Sequence, residues 1–170
     1  IKFPKEIIIV YDSEQDNAIN VAQSLVKEFD NIKLVHNKIE KGVRHAVEAG
    51  VQNAKYEIIL ITAVDEIFPI VAVDKMISHF IQNDLDFVSG TRYAKGGIRL
   101  GGSLIGSIFS RVANKSFKFF TKIPLSDCTT GIKMMKKNIW QSIKLESKPI
   151  GWAFSFELSI KVYLKKYKID

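Results

Sequence analysis

Residues 6–17 read Glu-Ile-Ile-Ile-Val-Tyr-Asp-Ser-Glu-Gln-Asp-Asn, and residues 56–66 read Tyr-Glu-Ile-Ile-Leu-Ile-Thr-Ala-Val-Asp-Glu. Each holds a short β-branched or aliphatic run that ends in carboxylates, the pattern of a buried strand delivering an acid at its C-terminal end. Outward from the first run, Asp16 or Asn17 can cap a helix that lasts to about Phe29, with Ile19, Ala22, Leu25, Val26 and Phe29 on its apolar face. Residues 32–35 read as a strand. Residues 42–54 place Val43, Ala46, Val47, Gly50 and Val51 at helical spacing, a third helix is expected over 73–83, and residues 86–90 form a further strand. Strand and helix therefore alternate over the first ninety residues. That alternation predicts a three-layer α/β/α domain with a mainly parallel central sheet covered by helices on both faces.

In such sheets ligands sit at the carboxyl ends of strands, where Asp12, Asp65 and the Thr91-Arg92 pair fall. Beyond Gly90 the pattern changes. Gly96-Gly97 and Gly101-Gly102 bracket Arg99 in a loop, and residues 103–120 read as a helix that mixes apolar positions with Arg111, Lys115 and Lys118. A polar turn over 124–131 holds Asp127, residues 132–135 read as a short strand, and 154–166 as a last helix. There is no internal repeat and no low-complexity linker.

With 170 residues and 46% apolar side chains, the chain has the size and composition of one globular domain, large enough to form a core without disulfide or metal staples. The single cysteine, Cys128, precludes an intramolecular disulfide. No apolar run approaches the roughly 18 residues that span a bilayer. The chain opens at Ile1, close to a core strand and without methionine, which reads as a fragment of a longer protein. Its net charge of +7 is unevenly placed: residues 1–91 carry 9 basic and 14 acidic side chains, net −5, and residues 92–170 carry 16 and 4, net +12. A basic half of that kind suits an anionic partner on one side. The pI of about 9.4 comes with no nucleic-acid-binding motif, so nucleic acid is not an expected partner.

The candidate site residues each carry two readings. Asp12 and Asp65 supply hard oxygen ligands for a divalent cation or acceptors for ribose hydroxyls, or they cap the turns that follow them. Arg92 follows a glycine that admits a ligand close to the backbone and offers a guanidinium suited to phosphate, or it pairs with an acid. The 103–120 helix lies at a membrane interface, or packs on the sheet with a solvated basic face. Asp127 orients a sugar or binds nearby amides. Glu157 is a site acid or a favourable charge near a helix N-terminus. His36, His45 and His79 lack zinc-ligand spacing. No phosphate-binding Walker loop, dinucleotide fingerprint or serine-hydrolase elbow is present.

The ordered set resembles the family-2 glycosyltransferases, especially the dolichyl-phosphate mannose or glucose synthase-like branch. Val10-Tyr-Asp-Ser-Glu-Gln-Asp-Asn17 is similar to that family's Val-Asp-Asp-Gly-Ser-Thr-Asp-Gly segment. Gly42-x3-Ala46-x3-Gly50, the strand ending at Asp65, Val88-Ser-Gly-Thr-Arg-Tyr93, Ser110-Arg111-x2-Asn114, Asp127-x3-Gly131 and Phe154-Ser-Phe-Glu157 follow in the family's order. The resemblance implies a GT-A, Rossmann-like catalytic domain over 1–170 that lacks its first strand. It implies a GDP- or UDP-hexose donor, with Asp12 near the base or ribose and Asp65 near the diphosphate. A Mg²⁺ or Mn²⁺ ion would be held by Asp65 and Glu66. Arg92, Arg111 and Arg99 would face donor or acceptor phosphates, and Asp127 the transferred sugar.

In that branch the acceptor is a polyprenyl phosphate at the cytoplasmic face of a membrane. The transfer would be inverting and need no general base, because the phosphate oxygen is already anionic. The alternatives are transfer to a saccharide hydroxyl, as in polysaccharide synthesis, which needs a base such as Asp127 or Glu157, and a degenerate domain that binds nucleotide without turnover. Two positions depart from the family pattern. Tyr11 stands where the first of two acids is usual, and the Asp-x-Asp metal motif reads Ala63-Val64-Asp65.

Overall fold

The computed structural model describes residues 1–64, 71–94, 104–148 and 151–170, with side chains for all but 104–107. The expected alternation is present: β1 (Ile7–Tyr11), α1 (Ile19–Glu28), β2 (Ile32–His36), α2 (Val43–Asn53), β3 (Ile58–Ile61), α3 (Val73–Gln82) and β4 (Phe87–Ser89). They are followed by α4 (Leu104–Thr121), β5 (Lys133–Lys136), α5 (Lys137–Ser142) and α6 (Ala153–Leu164). Helix α5 is too short to show a period in sequence. Burial of Ile139 and Trp140 holds it in place. Ala18, rather than Asp16 or Asn17, occupies the N-cap position of α1, although Asp16 Oδ1 accepts a hydrogen bond from the Ala18 amide at 2.9 Å.

Strands β1 and β2 pair in parallel, from Ile7 with Ile32 to Tyr11 with His36. Strand β5 lies between β3 and β4 and runs antiparallel to both, so that Met135 faces Ile59 on one side and Phe87 on the other. The sheet therefore contains one reversed strand. The last residues run beside β4: the Asp86 amide donates to the Lys168 carbonyl and the Ser89 amide to the Asp170 carbonyl, both at 2.8 Å.

Among the described residues β1 and β3 share no ladder. A single hydrogen bond of 2.6 Å, from the Lys55 amide to Glu6 Oε1, joins the segments just before them. The β1 and β3 runs, expected to be buried, are consequently only half-buried, with Ile7 43% and Ile58 38% exposed. The deeply buried strands are β4 and β5. Because successive strand side chains point to opposite faces, Met135 enters the main core with Phe87, Ile139, Phe154, Leu158 and Val162, while Met134 enters a smaller core with Phe80, Leu85 and Val88. Lys133 shares the Met135 side and is fully buried.

Leu158 is fully buried on α6. Leu158→Ala is expected to lower stability by roughly 2–5 kcal/mol through lost burial and the cavity left behind, measured as a reduced urea midpoint at unchanged slope.

Candidate functional site

The chain leaves β4 through Ser89 and Gly90. A side chain at position 90 would meet Ile132 Cβ at 3.0 Å, and the Gly90 amide donates to the Ile132 carbonyl at 2.9 Å. This close approach brings the β4 end against the 127–131 turn, with Arg92 facing Asp127. Arg92 Nε donates to Asp127 Oδ2 at 2.7 Å and Nη2 to Oδ1 at 2.9 Å, a bidentate fork. The carboxylate also accepts from the Arg92 amide at 3.3 Å, the Thr129 amide at 3.1 Å, the Thr129 hydroxyl at 2.9 Å and Asn114 Nδ2 at 3.4 Å. Asp127 is completely buried. Burial alone would raise its pKa, but the hydrogen bonds and charge of Arg92, with the Thr129 contacts, hold the carboxyl below the usual carboxylate range.

Helix α4 and helix α6 lock the turn from either side. On α4, Asn114 receives the Cys128 amide at 2.8 Å, and Ser110 lies 3.4 Å from Arg92 Nη2 and 3.2 Å from the Thr129 hydroxyl. On α6, Ser155 donates to the Thr130 carbonyl and Ser159 to the Cys128 carbonyl, the latter at 3.3 Å. A Cβ on Gly131 would stand 2.8 Å from the Trp152 ring, so this position admits only glycine without rearrangement.

Arg111 follows Ser110 on α4. It is exposed, and its guanidinium lies 5.4 Å from the centre of the Tyr93 ring, while that of Arg92 lies 5.1 Å from the same ring. Two of the expected phosphate-facing arginines thus meet around one aromatic ring. The charge of Arg92 is matched by Asp127. Among the described residues Arg111 has no hydrogen-bonded or ionic partner.

The remaining site residues lie elsewhere. Asp12 ties three segments together: Oδ1 accepts from Asn37 Nδ2 at 2.7 Å and Oδ2 from the Gly42 amide at 2.8 Å, at the entry to α2. These bonds go to the loop ahead of α2 and not to the turn that follows Asp12, which differs from the capping reading of this residue. Asp65, Glu66 and Arg99 lie outside the described residues. Among the described residues no cluster of three or more His, Cys, Asp or Glu side chains has the arrangement of a metal site. Glu157 takes the Glu146 and Ser147 amides at 2.7 and 2.8 Å, together with Lys161 at 2.7 Å. Burial works to raise its pKa, but the hydrogen bonds from Lys161 and the 146–147 segment hold it at about 2. Ser89, Asn114 and Thr129 stand in the sequence only as members of motifs, and Lys133 carries no sequence signal. The i, i+4 spacing of Ser110 and Asn114 is the one cue that places two of the network's residues together, on one face of α4.

A family model described as glycosyl transferase family 2 matches residues 2–143. The chain belongs to this family. It is 26% identical over 167 aligned positions to the dolichol-phosphate mannosyltransferase of Pyrococcus furiosus, covering 92% of this chain and 44% of that protein. The chain therefore spans less than half the length of that relative. Among solved structures, a mycobacterial protein superposes with a TM-score of 0.71 at 15% identity, over 96% of this chain and 53% of the other. Glucosyl-3-phosphoglycerate synthase from Mycobacterium tuberculosis, solved with Mn²⁺, UDP-glucose and phosphoglyceric acid, superposes with a TM-score of 0.68 at 11% identity, over 93% and 54%. At these identities the likeness shows the GT-A fold.

Asp127→Asn leaves Arg92 facing a neutral amide in a buried setting and is expected to cost about 3 kcal/mol at pH 7. A carboxyl whose pKa is lowered by folding adds stability above its unfolded value of about 4 and loses it as pH falls toward the folded value. Urea denaturation at pH 7 and at stepwise lower pH is therefore expected to show a smaller acid-induced loss in the variant than in the wild type.

Proposed function

We propose that this family-2 domain transfers a hexose from a nucleoside diphosphate to a polyprenyl phosphate at a membrane surface, with inversion and without a general base. The observation that carries this reading is the contrast between the acids and the arginines. Asp127 and Glu157, the two described carboxylates considered as bases, are both held as anions by saturating hydrogen bonds, which leaves them poor proton acceptors at neutral pH. A saccharide hydroxyl needs such a base; a phosphate oxygen does not. Arg111, exposed beside Arg92 and Tyr93, supplies positive charge for an anionic acceptor or departing diphosphate. Asp127 acts in this scheme by orienting Arg92, and catalysis rests on alignment of the reacting groups and stabilisation of developing charge.

Helix α4 favours the lipid acceptor. Ile108, Val112 and Phe119 fall on one line of its surface, with Phe109 and Phe120 beside them, and Phe119 and Phe120 are 79% and 80% exposed. Lys115 interrupts that line between Val112 and Phe119, and Arg111 and Lys118 lie along the side of it away from Phe109 and Phe120. An apolar surface bordered by cations along one side suits a helix lying in a bilayer interface. Among the described residues no helix is long and apolar enough to cross a membrane. The 26% identical dolichol-phosphate mannosyltransferase supports the same acceptor class, and the Mn²⁺ and UDP-glucose complex of the mycobacterial synthase supports a nucleotide-sugar donor with a divalent cation. Asp65 and Glu66 supply the hard oxygen donors such a cation takes. A bound cation would neutralise diphosphate charge.

Calorimetry with GDP-mannose and UDP-glucose, with and without Mn²⁺, tests donor binding, and product detection with a polyprenyl phosphate tests transfer. Arg111→Ala is expected to reduce transfer roughly 10- to 100-fold, the effect of one lost charged hydrogen bond. Phe119→Ser with Phe120→Ser is expected to weaken sedimentation with anionic liposomes while leaving nucleotide-sugar binding intact. Failure to bind any donor sinks the reading; binding without turnover identifies a degenerate domain.

A further inference from the structure

Lys133 is a lysine with no exposed surface, placed on β5 among core side chains. Its Nζ donates to Ser89 Oγ at 2.7 Å and to the Cys128 carbonyl at 3.3 Å, and it lies 5.8 Å from the centre of the Phe87 ring. No salt bridge to it is present among the described residues. A cation in that setting is costly, and a methionine would fill the same space without the desolvation penalty. The nitrogen joins the end of β4 to the turn that carries Asp127. Ser89 Oγ in turn donates to the Asp127 carbonyl at 2.7 Å.

We propose that Lys133 is a positioning residue for Arg92: its side-chain nitrogen, through the Ser89 hydroxyl, fixes the peptide of Asp127 and hence the guanidinium that Asp127 grips. The placement takes from the functional reading only that Arg92 binds an anion, and its geometry holds whether or not a sugar is transferred. Ser89 has one hydroxyl proton. An ammonium on Lys133 can only donate to Ser89 Oγ, so that proton is left for a carbonyl, and the Asp127 carbonyl at 2.7 Å is better placed than that of Gly90 at 3.1 Å. A neutral amine has a lone pair and can accept the Ser89 proton, which releases the carbonyl. Burial pushes the Lys133 amine down to about 7, against the opposing influence of Cys128 and Asp127, while Arg92 acts in the same downward direction. The titratable and charged groups around it are thus Asp127 and Cys128 on the turn and Arg92 after β4. From α6 the neutral hydroxyls of Ser155 and Ser159 pack against the same turn.

The test uses protein labelled with ¹⁵N-arginine and follows the Arg92 Nε–H resonance, assigned by its loss in Arg92→Lys, without any ligand. In the wild type its chemical shift is expected to show an inflection near pH 7, and its solvent exchange to be slow. In Lys133→Met the inflection is expected to vanish and exchange to quicken roughly tenfold, the effect of about one hydrogen bond. Lys133→Arg, which keeps a donor, is expected to restore slow exchange without the inflection. Ser89→Ala breaks the same link from the other side and is expected to match Lys133→Met, which keeps the test decisive if the methionine variant does not fold. Unchanged exchange and an unchanged inflection in folded Lys133→Met or in Ser89→Ala overturn the proposal. Calorimetry with UDP-glucose and GDP-mannose on the same samples separates the two readings. Wild-type protein that binds neither nucleotide sugar overturns the donor assignment and leaves the resonance of Arg92 to decide the role of Lys133.

Discussion

The buried fork between Arg92 and Asp127 is the interaction around which the C-terminal half is arranged. A fully desolvated carboxylate needs a partner for every lone pair, and the partners come from separate elements: Arg92 from the segment after β4, Asn114 from α4, Thr129 from the turn itself. Satisfying one anion therefore fixes how α4 crosses the end of β4 and how the chain turns into β5. That crossing decides where Arg111 and the apolar stripe of α4 face. The position of the exposed cation follows from the pairing of the half-buried one.

The same network explains the reversed strand. Asn114 and Ser159 hold the main chain of the turn at Cys128, and the Trp152 ring presses on Gly131, so the chain leaves the turn already directed back between β3 and β4. Strand β5 then bonds both neighbours and divides its methionines between two cores. Polar saturation at one end of the strand and apolar packing along it specify one register. A slip by one residue would carry Lys133 out of its pocket and exchange the two methionines.

Much of this was legible in the sequence, and the rest was not for definable reasons. Strands and helices lie within a residue or two of their expected bounds because their apolar periods are strong, as in Ile7–Tyr11 and Val73–Gln82. The burial of β1 was overestimated because a continuous apolar run does not reveal whether a neighbouring strand pairs with its second edge. Arg92, Arg111 and Asp127 were legible as candidates from residue type and order. The saturation of Asp127 was not, since its grip on Arg92 spans 35 residues of chain. Asp12 was legible as an acid at a strand end, yet its partners Asn37 and Gly42 come from a later loop. Lys133 looks in sequence like a solvent-facing residue in a short strand, and only the depth of β5 reveals it as a core residue. The division of charge between the halves acquires a location too: the basic half carries both arginines at the Tyr93 ring and the cationic border of α4.

The two separate ladders have a mechanical consequence. Strands β1 and β2 share hydrogen bonds only with each other among the named strands, whereas β3, β5 and β4 form a second unit sealed by α6. Cooperative units of a fold open together when they share buried contacts and independently when they do not. Amide protection in this domain should therefore fall into two tiers. The β1–β2 pair exchanges through a shallow, local opening. The amides of β4 and β5, which surround the arginine fork, exchange only when the whole domain unfolds, so the end that carries the fork stays rigid while the Asp12 end breathes.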